Sequence, residues 1–378
     1  MRQLGPRDYA ILALISVATA ITLAGFSEIS ARALFIELSD SCQATTGIGF
    51  VPNCTSLQKV AEGPVVTNHY NECGFRTAES CGPKPGIRVA VLGTSISRGY
   101  AVAYDESFGA RSSVELTKRC RRPVEFQNLS ITWTENFAAW DQFDRRVGEA
   151  LGLNPDVLLF MLAPWDIWKY HVASSSGQPS ISAPRKFERL PFYRFLHSVS
   201  EYLRDQREKS RAVLILRHLI LEDQDTFIRL YLKNGDESDY LRTPFTDAWR
   251  RRLEFVDTLI GRLVQQAGSE HVPVVVAFVP FAAHVLLARS PRGEAGIDPF
   301  ALDHAIEAMT ARYDAQYVDI IEPMSRLSHP AQMYYSVNGH PNGKGNAVIA
   351  AAVNSELLKN AAFKDCVAPL GVDKVGVH

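Results

Sequence analysis

A net charge is the first thing this chain lacks. Its 378 residues hold 40 Lys and Arg against 41 Asp and Glu, leaving a formal charge of −1. Without a basic stripe, no nucleic-acid partner is expected. The small basic cluster Arg119 to Arg122 reads as a solvated helix end. Metal-binding patterns are also missing. There is no Cys-x2-Cys pair and no clustered Cys/His spacing, and His69, His171, His197, His218, His271, His284, His304 and His329 are scattered, so no metal is expected. No P-loop or Gly-x-Gly-x-x-Gly follows a strand, no internal repeat is evident, and no cofactor is expected. Cysteine is sparse but even in number. Cys42, Cys54, Cys73, Cys81, Cys120 and Cys366 suit disulfides in an oxidising space, with Cys42/Cys54, Cys73/Cys81 and Cys120/Cys366 as one pairing among several.

One uncharged run is present. Tyr9 to Phe26 is dominated by Ile, Leu, Ala and Val behind Arg2 and Arg7. As a helix it covers about 27 Å, enough to cross a bilayer core. Residues 1–30 therefore read as a signal peptide or an N-terminal membrane anchor, with the rest in the periplasm or extracellular space. Residues 31–86 read as an irregular Cys-rich lead-in. From 87 to 364 strand and helix signals alternate.

The strand candidates are Ile87–Leu92, Val124–Gln127, Val157–Leu162, Val272–Val279 and Gln316–Ile320, each a short apolar run of the kind buried on both faces of a sheet. Helix patterns fall at Ser107–Arg119, Asn136–Leu151, Asp247–Gln266, Asp298–Tyr313 and Lys344–Lys359. Asp298 before Pro299 suits an N-cap followed by proline at the first helical position. The alternation implies a parallel sheet in a flavodoxin-like three-layer α/β/α sandwich. Residues 171–242 interrupt it as an insertion. They include a Ser-rich loop from Ala173 and a charged helix at Glu201–Lys209.

Two segments carry chemistry. Val89-Ala-Val-Leu-Gly-Thr-Ser95 ends a strand at a serine. Asn338-Gly-His340-Pro-Asn342 offers a histidine before an Ala-rich helix. A serine hydroxyl needs a base to become a nucleophile at neutral pH, and imidazole is the usual one. Both lie where open α/β sheets form their crevices.

Here the chain resembles the SGNH, or GDSL-type, hydrolase family. Gly93-Thr94-Ser95 resembles its nucleophile block, and Asn71-Glu-Cys-Gly74-Phe75-Arg76 a lead-in of secreted members. Gln127-Asn128-Leu129-Ser130 resembles the second block. Ala163-Pro164-Trp165-Asp166 occupies the place of the third. Asn338-Gly339-His340-Pro341-Asn342-x-x-Gly345 resembles the last. The resemblance implies a Ser95/His340 pair, with Asn338 or Val337, depending on the spacing, standing where the family has the acid that orients the imidazole. The oxyanion hole would draw on Ser95, Ser130 and Trp165. Asn128, Trp165, Asp166 and Trp168 would contact substrate, and Asp166 is a second candidate to orient His340. Thr94, Ser130, Trp165 and Asn338 are departures from the family pattern.

Two functions follow from these residues. One is a serine-dependent ester hydrolase or O-acyltransferase acting on an acylated carbohydrate or small ester, with the membrane as a further partner. The other is a catalytically degenerate protein that binds a glycan without turnover. A packing role for Trp165, Asp166 and Trp168 under the insertion competes with a role in binding.

Overall fold

Five short apolar runs form one parallel sheet. In this computed structural model residues 5–44, 49–131, 140–169, 210–289 and 295–366 are described. Two strands of the lead-in come first, β1 (Thr55–Gln58) and β2 (Val66–His69), paired antiparallel. The sheet strands are β3 (Ile87–Leu92), β4 (Val124–Asn128), β5 (Val157–Leu162), β6 (Val274–Phe278) and β7 (Gln316–Asp319), in the order β4-β3-β5-β6-β7. All four neighbouring pairs are parallel. Numbered within the sheet, the order is 2-1-3-4-5, the flavodoxin-like arrangement with its switch point beside the first strand. Side chains alternate between two cores. Ala90 and Leu92 of β3 join one, while Val89 and Val91 join the other; burial on both faces explains why β5 and β6 read as unbroken apolar runs.

The helices fill both faces. They are α1 (Pro6–Leu34), α2 (Ser95–Arg98), α3 (Phe108–Cys120), α4 (Trp140–Gly152), α5 (Pro164–Lys169), α6 (Arg211–Leu221), α7 (Gln224–Tyr231), α8 (Asp247–Ser269), α9 (Ala282–Arg289), α10 (Ala301–Arg312), α11 (Ile321–Ser325) and α12 (Gly343–Leu357). Local chemistry sets several starts. The Ser107 hydroxyl caps α3, Thr246 caps α8 and Asn342 caps α12, each accepting a first-turn N–H. In α8 the residues Trp249, Leu253, Val256, Ile260, Leu263 and Ala267 form one buried stripe at helical spacing. The α10 start departs from expectation. Asp298 turns the chain locally, its carboxylate accepting the Phe300 N–H at 2.9 Å, and the helix begins at Ala301. The side-chain bond favours a turn two residues on over a cap. The expected loop from Ala173 and helix at Glu201–Lys209 lie outside the described residues. The described part of the insertion supplies α6 and α7.

The 31–86 segment is more regular than its composition implies. It holds the β1–β2 pair, Cys42–Cys54 and Cys73–Cys81. The third disulfide, Cys120–Cys366, joins α3 to the residues after α12 across 246 positions. In the chain-entropy view a loop of that length stabilises the fold by about 5 kcal/mol. Helix α1 runs 29 residues and presents Leu14, Ile21, Leu23 and Phe26 to the exterior. It has the length and composition to cross a membrane. Its Glu28 accepts the Arg211 and Ala212 N–H groups at 3.1 Å each and caps α6.

Candidate active site

Ser95 leaves β3 at its carboxyl end and opens the four-residue helix α2. Gly99 ends that helix with a φ of 76°, a conformation that glycine adopts without strain. Three interactions from the lead-in hold it. Arg76, the last residue of the Asn-x-x-Gly-Phe-Arg segment, donates to the Arg98 carbonyl at 2.6 Å and the Gly99 carbonyl at 3.0 Å. Arg98 is buried and pairs with Asp40 at 2.9 Å. Burial alone would raise the Asp40 pKa, but hydrogen bonds from Ser56 and Tyr70 and the Arg98 charge outweigh it and hold the carboxyl below its usual range. The turn that carries Ser95 is thus fixed to a disulfide-bonded segment earlier in the chain.

His340 arrives from the loop before α12. Gly345, three residues past Asn342, sits where a Cβ would meet the Met333 carbonyl oxygen, so the glycine permits the loop to close on the helix. The His340 carbonyl accepts the Tyr335 N–H at 3.0 Å. The result brings together residues 245 positions apart, with Ser95 Oγ lying 2.8 Å from His340 Nε2. Asn338 Oδ1 lies 2.7 Å from Nδ1. An amide oxygen accepts only from a protonated Nδ1, so this contact selects the tautomer whose Nε2 is free to take the serine proton. Burial pushes the His340 pKa down to about 4, with the Arg98 charge acting in the same direction. The imidazole is therefore neutral at pH 7.

The other expected residues divide. Trp165 and Trp168 line the same cavity as Ser95 and His340, their rings 5.1 Å apart, and Trp165 is 41% exposed. The Trp168 indole N–H donates to Asp236 at 3.1 Å. Asp166 also borders the cavity, but its carboxylate accepts the Thr94 hydroxyl at 2.6 Å and the Ala163 N–H at 2.9 Å. It holds Thr94, the residue before Ser95, and Asn338 faces the histidine in its place. Asn128 and Ser130 turn inward. Ser130 is 2% exposed, its N–H donates to Asn128 Oδ1 at 3.1 Å and its hydroxyl accepts from Ser97 at 2.8 Å. Asn128 Nδ2 donates to the Ser97 carbonyl at 2.8 Å. This pair braces α2 and is not among the residues that line the cavity, since the Asn128 amide bonds the backbone on either side of it.

Two contributors carried no signal in the sequence. The Tyr100 ring lies 4.8 Å from the His340 ring. Glu62, from the lead-in, accepts the Val337 N–H at 3.0 Å and the Asn338 N–H at 2.8 Å. The same carboxylate meets His218 of α6 at 2.7 Å. An isolated Glu between β1 and β2 has no motif to mark it. The cavity measures about 760 Å³. Among the described residues no group of His, Cys, Asp and Glu is arranged to hold a metal ion.

No protein-family model matches the chain, and no curated protein matches it. Solved structures do. A lipase/acylhydrolase from Enterococcus faecalis is 14% identical with a TM-score of 0.36, covering 72% of this chain and 95% of its own. An acetylxylan esterase from Geobacillus stearothermophilus, solved as a catalytic mutant, is 11% identical with a TM-score of 0.40, covering 73% and 95%. A lipolytic protein of the G-D-S-L family from Desulfitobacterium hafniense is 10% identical with a TM-score of 0.36, covering 71% and 99%. At such identities the chemistry of this chain rests on its own residues.

Proposed function

We propose that this chain is a serine-dependent ester hydrolase or O-acyltransferase. The observation that carries the reading is the Ser95–His340–Asn338 line, with contacts of 2.8 and 2.7 Å. Ser95 Oγ attacks the ester carbonyl as His340 Nε2 takes its proton. The tetrahedral intermediate collapses, the alcohol leaves with that proton, and an acyl group remains on Ser95. Water then gives an esterase, and a sugar hydroxyl gives a transferase, with His340 again accepting the proton. The Ser95 N–H, at the first position of α2, is the donor best placed for the developing oxyanion. Acylated carbohydrate of the cell envelope or extracellular space is the substrate class we favour. The N-terminal helix, as an anchor or signal, would deliver the domain to that side, where the three disulfides are stable.

Covalent labelling tests this. A fluorophosphonate should modify Ser95, located by mass spectrometry, and hydrolysis of p-nitrophenyl acetate should fall by about 10³-fold or more in Ser95→Ala. Equal residual hydrolysis in the two proteins, with no label on Ser95, removes the enzyme reading.

A second reading keeps the fold and drops turnover, leaving a protein that binds a glycan. Its support is the Asn338 amide where an acid would stabilise the imidazolium, together with the Ser130 N–H committed to Asn128. The same two measurements separate it from the first.

A further inference from the structure

Helix α6 turns one apolar face outward. Its sequence, Arg211-Ala-Val-Leu-Ile-Leu-Arg-His-Leu-Ile-Leu221, carries no acid, and its only charged or titratable side chains are Arg211, Arg217 and His218. Leu216, Leu219 and Ile220 stand at i, i+3 and i+4, on one side of the helix. They are 56%, 61% and 41% exposed. The opposite side packs on the domain, where His218 meets Glu62 at 2.7 Å and Leu214 borders a smaller cavity with Glu62 and Asn338. A single exposed apolar side chain needs no explanation. Val114 of α3 is one, 73% exposed, with Arg111 and Lys118 a turn to either side. Three together on one helical face point to a covering surface.

The joint with α1 indicates which surface. Glu28 is the first charged residue after the uncharged run Tyr9–Phe26. Its carboxylate accepts the Ser210 hydroxyl at 2.7 Å beside the Arg211 and Ala212 N–H groups. Arg211 also pairs with Glu37 at 2.5 Å. A helix crossing a bilayer through Tyr9–Phe26 leaves the hydrocarbon where its charges resume, because a charge inside is costly. The first turn of α6 is therefore fastened at headgroup level. At about 1.5 Å per residue, Leu216 and Leu219 stand within about 14 Å of that joint. Ile29, Leu34 and Ile36, also exposed, lie in the stretch of chain that makes the joint. A short helix with Leu and Ile on one face and Arg beside them has the composition of one that lies in a membrane surface.

We propose that α6 is a second membrane contact, with Leu216, Leu219 and Ile220 seated in the interfacial layer of the bilayer that α1 crosses. This goes beyond the catalytic reading and is independent of Ser95, and it rests on α1 as a retained anchor. One crossing helix leaves a domain free to swing about its exit point, whereas a second contact fixes its orientation. Arg217, Ile220 and Leu221 of the same helix border the cavity of Ser95 and His340, so that cavity is held beside the lipid surface.

The test uses the full-length chain in nanodiscs of phosphatidylcholine and phosphatidylglycerol. A fluorophore is placed through an unnatural amino acid at Val17, Val114, Leu216 or Leu219, one position at a time, and circular dichroism checks each fold. The quenchers are lipids brominated at the top of the acyl chain, about 5–10 Å into the headgroup boundary, and iodide in the water. Lipid quenching at Leu216 and Leu219 should exceed that at Val114 by about fivefold or more, and iodide quenching should be lower by a similar factor, as for side chains sunk in the interface. Val17, in the middle of α1, should be closed to iodide. Equal lipid quenching at Leu216, Leu219 and Val114 overturns the proposal. If iodide is still excluded from Leu216 and Leu219 in that case, a protein surface or a second copy covers the face in place of lipid. A Val17 that iodide reaches overturns the proposal through its premise, since α1 then lies outside the bilayer. None of these measurements depends on hydrolysis, so a failure of the Ser95 mechanism leaves their result intact.

Discussion

At the scale of residues, His340, the proposed base, is the point of tension. His340 has its partner at Nε2 and an amide, with no carboxylate, at Nδ1. An amide fixes the tautomer but does little to stabilise the cation that the proposed deprotonation of Ser95 would form. In a serine protease, an Asp-to-Asn change in this role costs about 10⁴-fold. Because burial holds the His340 pKa at about 4, the base stays neutral, and kcat/KM should persist down to about that pH. Asn338→Asp places a negative charge beside Nδ1 and raises the imidazole pKa. Its acid limb should move up in pH, and turnover at pH 8 should rise on the order of tenfold. A pH–rate profile of both proteins checks this, and coincident limbs would refute it. The sign for stability follows from the same shift. The unfolded His340, near 6.5, binds protons that the folded one refuses, so its contribution to stability weakens as the pH falls from about 6.5 to 4.

At the scale of elements, the loop that carries His340 is held from outside the sheet. Glu62 takes two adjacent N–H groups of the loop, including that of Asn338, and is itself 5% exposed at its side chain. We expect it to act as a positioning residue, reaching His340 through Asn338. Glu62→Ala frees both N–H groups, and the rate of Ser95 acylation should fall on the order of tenfold or more, since a displacement near 1 Å can cost about 10²-fold. KM should change little, and Glu62→Gln should restore part of the rate. Stopped-flow acylation reads this directly, and an unchanged rate in Glu62→Ala would exclude the positioning role. His218 on α6 meets the same carboxylate, so the cavity wall and the catalytic loop share one anchor.

For the whole molecule, the arrangement of termini and disulfides carries the topology. Helix α1 is exposed along its apolar length, and its Glu28 caps α6, so the apolar helix is joined to the domain at the side where the insertion lies. We expect a single crossing or entry through Tyr9–Phe26, with everything after it in an oxidising space. A C-terminal alkaline phosphatase fusion should be active, and protein isolated from its host should show no reactive thiol. An inactive fusion with six alkylatable cysteines would oppose both expectations. The Cys120–Cys366 link then closes the domain only after α12 has been made, since Cys366 follows α12 in the chain.

Period and composition were enough for the architecture. Short runs rich in Val, Ile, Leu or Phe separated by helix-length patterns leave a parallel sheet as the compact solution, and β3 and β5 coincide with their expected limits. The pairing of Ser95 with His340 was legible for the same reason, since both stand at strand or helix ends that such a sheet gathers at one edge. Other roles depended on contacts between distant segments. Asp166 could be placed near the nucleophile, but only three-dimensional packing shows it bonded to Thr94 while Asn338 faces the imidazole. Ser130 occupied a recognisable position, yet its N–H direction is a backbone property that Asn128 captures. Glu62 and Tyr100 meet the site across long stretches of chain, and no local pattern encodes which distant carboxylate or ring will be nearest. Periodicity reports which face of an element is buried. Hydrogen-bond direction is decided by what the folded chain brings within about 3 Å.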